Sequence, residues 1–140
     1  MVKKTKAPAP RISALIGKKY KAYGRGPEYY DCWGLAIEAV KILTGVEIPD
    51  YKLDPEDQES NNAFLLKIAT IDGTWQEVKT KDIKPGLLVA LELYRPGALT
   101  HAGVTTGNGL FIHCIEKKGV TIEPLKKYQK LIGGYYEFKG

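Results

Sequence analysis

The amino-acid sequence predicts an α+β domain in which helices come first and an antiparallel β-meander follows. Two observations support this prediction. Residues 32–44 repeat apolar side chains at helical spacing, whereas from residue 74 onward short apolar runs alternate with turns rich in Gly and Pro. The 140 residues, of which 44% are hydrophobic and 26% charged, are enough for one globular domain with its own core.

The beginning of the chain predicts an arm and then a helix. The first ten residues, MVKKTKAPAP, are expected to form a flexible basic arm, so that a single domain comprises residues 11–140. The segment RISALIGKKYKAYG predicts a first helix that ends near Tyr23 and Gly24, and GRGPEYY predicts a loop.

The second helix is the best defined of the chain. Asp31 is suited to cap its N-terminus, and Gly45 is suited to end it. A third helix is predicted to begin in DPED, where Asp54 is the cap and Pro55 takes the first helical position. This helix is predicted to run through Ile68.

The second half of the chain contains the predicted strands. They are TWQEV, LLVALEL, HAGVTT, LFIHCIE, VTIEPL and GGYYEF. The turns KPG, RPGAL, GNG and KKG separate most of them. No repeat and no domain linker interrupts this order.

Composition and charge exclude several classes of protein. The net charge of +5 is consistent with a solvated basic surface or with weak attraction to an anionic polymer, but no stacked-aromatic or zinc-finger pattern supports nucleic-acid binding. No apolar run is long enough for a membrane span or a signal-peptide core, so the chain is expected to be soluble and cytoplasmic as synthesised. Two cysteines are too few for a disulfide framework, although one bridge between Cys32 and Cys114 is left open.

Cys32 stands in the first turn of the second helix, directly after the predicted cap. The free N–H groups and the dipole of a helix N-terminus favour a thiolate over a thiol, so we expect a lowered pKa for Cys32. A cysteine nucleophile needs such a position together with a histidine that carries protons. The alternative is a small buried hydrophobic residue at a helix start.

The chain has two histidines, His101 and His113, in the two strands joined by GNG. If GNG is a three-residue loop, Thr106 pairs with Leu110, and the two histidines become diagonal neighbours about 7 Å apart on one face of the hairpin. A two-residue turn would place them on opposite faces. In the first register Cys114 points to the other face, as a residue without a catalytic role.

Cys32, His101 and His113 together would supply a nucleophile, a proton carrier and a group that orients the carrier. The alternative for each histidine is a hydrogen-bonded strand residue. A zinc site built from the same three side chains is a further alternative, although no carboxylate or second thiol stands at ligand spacing. Neither a metal nor a cofactor is expected.

Three stretches, DCWGL, KPGLLVALEL and HAGVTTGNGLFIH, resemble the motifs of the NlpC-type cysteine peptidases, a papain-like family that cleaves the peptide stems of bacterial cell wall. The resemblance covers about residues 12–138 in the order of the family. It implies a papain-like fold in which the catalytic cysteine, at a helix N-terminus, packs against an antiparallel β-meander.

The resemblance also implies roles for individual residues. Cys32 would be the nucleophile, His101 the general base and acid, and His113 the orienting residue. A tyrosine of the family, about a dozen residues before the cysteine, helps to hold the site and the oxyanion. Tyr20 matches this position best, and Tyr23 is the alternative.

Two positions depart from the family pattern. Trp33 stands where cell-wall members usually have Ser, and Leu87 replaces the usual Asp after KPG. Trp33 is similar to the residue in a phage-tail-associated subset and would place a large ring near the substrate groove.

The resemblance implies a cysteine endopeptidase that forms an acyl-enzyme and cuts peptidoglycan stem peptides at a D-glutamyl–diaminopimelate type of bond. Phage tail proteins are then expected as partners, and a virion or tail location as the alternative to the cytoplasm. Two other functions stay open. One is a structural or assembly module of a phage tail, and the other is an amidase or acyltransferase that uses the same three residues on a lipid or an amide.

Overall fold

Helices and an antiparallel sheet make up the structure, a computed structural model that describes residues 8–70 and 73–140. The helices of this part are α1 (Pro8–Ser13), α2 (Cys32–Thr44) and α3 (Gln58–Thr70). The strands are β1 (Lys19–Tyr20), β2 (Tyr29–Tyr30), β3 (Trp75–Val78), β4 (Leu88–Leu91), β5 (His101–Gly107), β6 (Leu110–Ile115), β7 (Gly119–Pro124) and β8 (Ile132–Phe138). Short 3₁₀ helices cover Thr80–Asp82 and Leu125–Tyr128. Within this part of the chain, no helix combines the length and the hydrophobicity that crossing a membrane requires.

The six-stranded sheet has the order β3-β8-β4-β5-β6-β7, and all its neighbours are antiparallel. The predicted meander is confirmed for β4 to β7, but it is wrong for the last strand, which returns between β3 and β4. The reason is burial on both faces. Tyr136 of β8 points into the main core, whereas Tyr135 packs against the smaller cluster on the opposite face. A strand with apolar side chains on both faces is suited to the inside of a sheet.

The first helix is shorter than predicted. It ends at Ser13, and the backbone of Gly17 and Lys18 then hydrogen bonds to Val120 of β7 at 3.0 and 2.8 Å. The next residues form β1, which pairs in parallel with β2. Pairing with distant strands thus replaces the helix predicted up to Tyr23. The helix also includes the last three residues of the predicted arm, whereas the first seven lie outside the described residues.

The second helix has the predicted ends. The Asp31 side chain accepts a hydrogen bond from the backbone N–H of Gly34 at 2.7 Å, and Gly45 ends the helix in the left-handed conformation at φ 78°. The third helix starts later than predicted. Asp54 forms a turn with Asp57, and it is the Asp57 side chain that accepts from the N–H of Ser60 at 3.1 Å. Asp54 is therefore not the cap of α3.

The β5–β6 hairpin combines features of both predicted loops. Gly107 pairs with Leu110 across a two-residue turn of Asn108 and Gly109, both of which have positive φ. A bulge then leaves Thr106 without a partner in the register, and Thr105 pairs with Phe111. The predicted pairing of Thr106 with Leu110 is therefore wrong. From Thr105 onward, however, the bulge shifts the pairing by one residue, so the two strands have the register that the three-residue loop predicts. The two histidines consequently share one face.

Candidate active site

The thiol of Cys32 lies where the N-terminus of α2 meets the start of β5. Its sulfur is within hydrogen-bond reach of the backbone N–H of Ala102, the residue after His101. Cys32 and His101 line the same small pocket. The packing of α2 on the sheet therefore brings Cys32 and His101 together, as the sequence predicted.

The second histidine extends the site away from the thiol. Nε2 of His101 lies 2.9 Å from Nδ1 of His113, and Nε2 of His113 lies 2.8 Å from Oε2 of Glu123. Both rings are buried. A chain of hydrogen bonds therefore runs from the pocket of Cys32 through two imidazoles to a carboxylate on β7.

Both histidines are uncharged at neutral pH. Burial, and then the neighbouring His113, hold the pKa of His101 well below its ordinary value. Burial also lowers the pKa of His113, although its hydrogen bond to Glu123 acts in the opposite direction. A neutral imidazole with a free nitrogen is a base, so His101 is able to accept a proton at neutral pH.

The expected low pKa of the Cys32 thiol is wrong. Burial, and then the Asp31 carboxylate, raise this pKa to about 11, and the hydrogen bond from Ala102 and the charge of Arg25 offset only part of this effect. The helix N-terminus is therefore too weak to ionise the thiol alone. In the resting site Cys32 is a neutral thiol beside a neutral His101.

We expect alkylation of Cys32 by iodoacetamide to be slow at pH 7 and to accelerate about tenfold per pH unit up to pH 9.5. The thiolate is the reactive form, and a pKa of about 11 keeps the thiol protonated throughout this range. Peptide mass mapping measures the rate at Cys32 separately from that at the fully buried Cys114. A rate that levels off below pH 8 would show a preformed thiolate–imidazolium pair instead.

Asp31 is fixed by a network of its own. Besides capping α2, this buried carboxylate accepts from the guanidinium of Arg25 at 2.8 Å and from the backbone N–H of Tyr23 at 3.1 Å. Arg25 also binds Asp50 through two hydrogen bonds. Asp31 and Arg25 therefore tie the loop before α2 to the loop after it, and so hold Cys32 in place.

Two tyrosines interact electrostatically with the thiol. Burial, and then the charge that Cys32 would carry, raise the pKa of Tyr20. The same two causes raise the pKa of Tyr94, although this residue is 45% exposed, and its ring meets that of His101 edge to face at 5.7 Å. The alternative Tyr23 is exposed, and a hydrogen bond to Asp54 raises the pKa of its hydroxyl. Tyr20 therefore matches the predicted tyrosine better than Tyr23 does.

Three buried polar atoms of the described residues have no hydrogen-bond partner, and all three belong to residues that line the pocket of Cys32. They are Nδ1 of His101, Oγ1 of Thr100 and Oδ1 of Asn61. The amide of Asn61 is oriented by its other end, because Nδ2 donates to the carbonyl of Asp54 at 2.8 Å. Buried polar atoms are nearly always paired, so a water molecule or a polar ligand is expected to bind in this pocket.

Trp33 lies in the core behind the pocket. It is 2% exposed, donates from Nε1 to the carbonyl of Pro49 at 3.1 Å, and packs against Tyr51, Phe64 and Trp75. Its atoms also form part of the pocket wall. A direct contact between Trp33 and substrate stays a prediction. Leu87, the second departure, is buried directly before β4.

Cys114 has the position predicted for it. It lies in the main core and donates from its thiol to the carbonyl of Tyr30 at 3.2 Å, and both cysteines are free. The zinc alternative is disfavoured because both nitrogens of His113 are engaged, one with His101 and one with Glu123. No cluster of three or more metal-binding side chains occurs in residues 8–70 and 73–140.

Four residues of the site were not found from the sequence: Tyr94, Glu123, Thr100 and Asn61. For Glu123 a signal existed. It is the one acidic residue in the predicted strand VTIEPL, and the β6–β7 register, which pairs His113 with Thr121, puts it diagonally opposite His113.

Known proteins share the family motifs and the fold of this chain. Residues 17–132 match the model of the NlpC/P60 family. The fold is similar to that of an NlpC/P60 family protein from Bacillus cereus ATCC 10987 (TM-score 0.67, 19% identity, 100% of this chain and 42% of that one). It is also similar to NlpC2 from Trichomonas vaginalis (TM-score 0.65, 22% identity, 93% and 46%). The NlpC/p60 domain of the peptidoglycan hydrolase SagA matches over nearly its whole length (TM-score 0.60, 20% identity, 94% and 97%).

These likenesses confirm the predicted α+β fold of the papain-like NlpC type. The chain spans less than half the length of two of these proteins, those from Bacillus cereus and Trichomonas vaginalis. No curated protein sequence matches it. The predicted association with phage tails stays a prediction.

Proposed function

The chain belongs to the NlpC/P60 family, whose members are cysteine peptidases that act on peptidoglycan, and we propose that it hydrolyses peptidoglycan stem peptides with Cys32 as nucleophile. One observation carries the proposal. The unpartnered Nδ1 of the buried, neutral His101 belongs to the same pocket as the thiol of Cys32. A base without a partner beside a nucleophile that needs deprotonation is the arrangement that acyl transfer requires.

The reaction would begin with a proton transfer. As the Cys32 sulfur attacks the scissile carbonyl, the thiol proton moves to Nδ1 of His101. Burial opposes a separate charge on either group, but the transfer leaves the net charge of the pair unchanged. We therefore propose general-base catalysis rather than attack by a preformed thiolate.

The acyl-enzyme forms when the tetrahedral intermediate collapses. The C–N bond breaks, and the imidazolium of His101 gives its proton to the leaving amine. His101 then removes a proton from water, which attacks the thioester and releases the new carboxylate together with the Cys32 thiol. His113 would hold the His101 ring through the 2.9 Å hydrogen bond during both half-reactions.

Two donors would stabilise the oxyanion. The first is the backbone N–H of Cys32 at the start of α2, where helix N–H groups have no partner within the helix. The second is the hydroxyl of Tyr20, which its raised pKa keeps protonated at neutral and moderately alkaline pH. Both would act on charge that develops only in the transition state.

The proposed substrate is a stem peptide cut at a bond of the D-glutamyl–diaminopimelate type. The net charge of +5 favours such substrates, because stem peptides carry free carboxylates. Inside the pocket, Oδ1 of Asn61 would accept a hydrogen bond from a substrate N–H, and Thr100 would bind a further polar group of the peptide.

The proposal is tested with purified muropeptides and the intact protein, followed by mass spectrometry. We expect two product peptides whose masses sum to that of the substrate plus one water, with a new N-terminus at diaminopimelate. Protein alkylated at Cys32 is the control. Release of the whole peptide from the sugar would indicate an amidase, and transfer of the acyl group to an added amine without hydrolysis would indicate an acyltransferase. If native protein leaves every muropeptide intact, the proposal is wrong.

We expect Thr100→Val to reduce kcat/KM by about three- to tenfold, mainly through KM, because it removes one hydrogen bond to the substrate. The variant keeps the shape of the side chain. It should fold at least as stably as wild type, since it removes a buried hydroxyl that has no partner. Steady-state kinetics and thermal unfolding measure the two effects. A variant with unchanged kinetics would show that Thr100 does not touch the substrate.

A further inference from the structure

Glu123 lies at the far end of the histidine chain, one imidazole removed from His101. It is 7% exposed, and its Oε2 accepts from Nε2 of His113 at 2.8 Å. We propose that Glu123 is a positioning residue that fixes the tautomers of both histidines and thereby presents a bare Nδ1 of His101 to Cys32. The effect of Glu123 on catalysis rests on the proposed function, whereas its effect on the tautomers of the two histidines does not depend on any substrate.

The charge state of Glu123 is the first step. Burial alone would raise the pKa of this carboxyl, but hydrogen bonds from Lys127, His113 and Tyr128 outweigh burial and lower the pKa to about 2. Glu123 is therefore an ionised carboxylate at neutral pH. An ionised carboxylate only accepts hydrogen bonds, so Nε2 of His113 must carry a hydrogen atom.

The tautomers follow from this constraint. A neutral imidazole has one N–H, so a His113 that is protonated at Nε2 has a bare Nδ1 that can only accept. The group 2.9 Å away, Nε2 of His101, must then donate. His101 in turn has its own bare nitrogen at Nδ1, on the side of the Cys32 pocket.

Without the carboxylate, the opposite arrangement satisfies the same contact between the rings. Nδ1 of His113 would then donate to Nε2 of His101, and His101 would carry its hydrogen atom at Nδ1. In that state His101 cannot take the proton of Cys32. The hydrogen bond between the two histidines is compatible with both arrangements of tautomers. The carboxylate of Glu123 is compatible only with the one that leaves Nδ1 of His101 bare.

Glu123 is itself well anchored. The hydroxyl of Tyr128 donates to Oε2 at 2.8 Å, and the ammonium of Lys127 binds Oε1. Both residues belong to the 3₁₀ helix that directly follows β7. Burial and the hydrogen bond to Glu123 raise the pKa of Tyr128 to about 12, so its hydroxyl stays a donor. The carboxylate thus has donors on both oxygens and a fixed orientation.

The same carboxylate also acts when His101 becomes positive during the reaction. The imidazolium donates through Nε2 to His113, whose Nε2–H is bound by the negative charge of Glu123. The positive charge therefore forms at one end of a chain that has a negative charge at the other, and this favours proton transfer from Cys32.

The direct test is nitrogen NMR of protein labelled with ¹⁵N-histidine, because protonated and bare imidazole nitrogens have well-separated chemical shifts. The two histidines of the chain give two ring systems to assign. In wild type at pH 7 we expect both rings to be protonated at Nε2. Protonation of His101 at Nδ1 would overturn the proposal without any variant.

The variant Glu123→Met removes the acceptor and keeps the length of the side chain. We expect the His101 population with a bare Nδ1 to fall, and kcat to fall by at least about tenfold with KM nearly unchanged. In Glu123→Gln the amide oxygen can still accept from His113. This variant should therefore have a larger His101 population with a bare Nδ1, and a higher kcat, than Glu123→Met. Tyr128→Phe is the matched control, because it removes a donor to the same Oε2 and leaves the carboxylate, so both tautomers should stay as in wild type.

The outcomes separate the two proposals. Tautomers that stay unchanged in Glu123→Met would show that the carboxylate does not select them, and the inference would be wrong. A tautomer change in Glu123→Met, found in a protein whose wild type cleaves no muropeptide, would support the positioning role and overturn the proposed function alone.

Discussion

Replacing Cys32 by alanine is expected to lower kcat/KM for stem-peptide hydrolysis by at least about four orders of magnitude, because no other group in the pocket can form the thioester. Thr100, the hydroxyl that shares the pocket, is a weaker nucleophile and is not activated by any described base. The variant should stay folded, because the substitution removes a single atom and adds none. Chromatography of digested muropeptides measures the loss.

The second cysteine provides a matched control with the opposite phenotype. Cys114→Ala removes a fully buried sulfur and its hydrogen bond to the carbonyl of Tyr30, so it should reduce the free energy of unfolding by about 1 kcal/mol. It should leave kcat/KM close to wild type. If Cys32→Ala still cleaved while Cys114→Ala did not, the assignment of the nucleophile would be reversed.

The second large effect concerns stability, and here two physical arguments predict opposite signs. Gly34 lies in the first turn of α2, where helix propensity alone predicts that Gly34→Ala stabilises the protein by about 1 kcal/mol. A Cβ at this position would lie 2.0 Å from the carbonyl oxygen of Gly24, which is backbone and cannot swing away. We expect the steric clash to outweigh the gain in helix propensity, so that Gly34→Ala reduces the free energy of unfolding by about 3 kcal/mol or more.

The carbonyl of Gly24 explains the size of this effect. It accepts from the backbone N–H of Asp31 at 3.2 Å and from the guanidinium of Arg25 at 2.9 Å, so moving it disturbs the network that holds Cys32. Denaturant unfolding measures the loss. Gly97→Ala is a suitable control, because it has open space around its Cβ and a positive φ, and should cost only about 1 kcal/mol. A stabilised Gly34→Ala would refute the close approach of these two segments.

Local signals in the sequence were sufficient for much of the fold. The cap at Asp31, the stop at Gly45 and the strands after residue 74 depend on neighbouring residues, and all are confirmed. The errors arose where contacts between segments that are distant in sequence determine the local structure or the strand order. Val120 pairs with the chain where a helix continuing past Ser13 was predicted, and β8 inserts between two strands made earlier.

In the candidate site, too, features that depend on local sequence were predicted correctly and features that depend on tertiary packing were not. Cys32, His101 and His113 were predicted to form one site from residue type, spacing and the family resemblance, and the structure brings them to one region. The pKa of the thiol was predicted with the wrong sign, because the helix terminus is visible in the sequence whereas burial is not. The register of the histidines depended on one bulge at Thr106, which no local pattern marks.

The position of β8 has a consequence for the order in which the molecule is assembled. β4 to β7 pair with one another and contain His101, His113 and Glu123, whereas the second edge of β4 is paired only by β8, which is translated after all of them. During translation, the half of the sheet that carries these groups is therefore available first, with one strand edge open. An open edge in a nascent chain is where pairing with another chain starts, so the emergence of β8 ends the period in which this domain is most prone to aggregate.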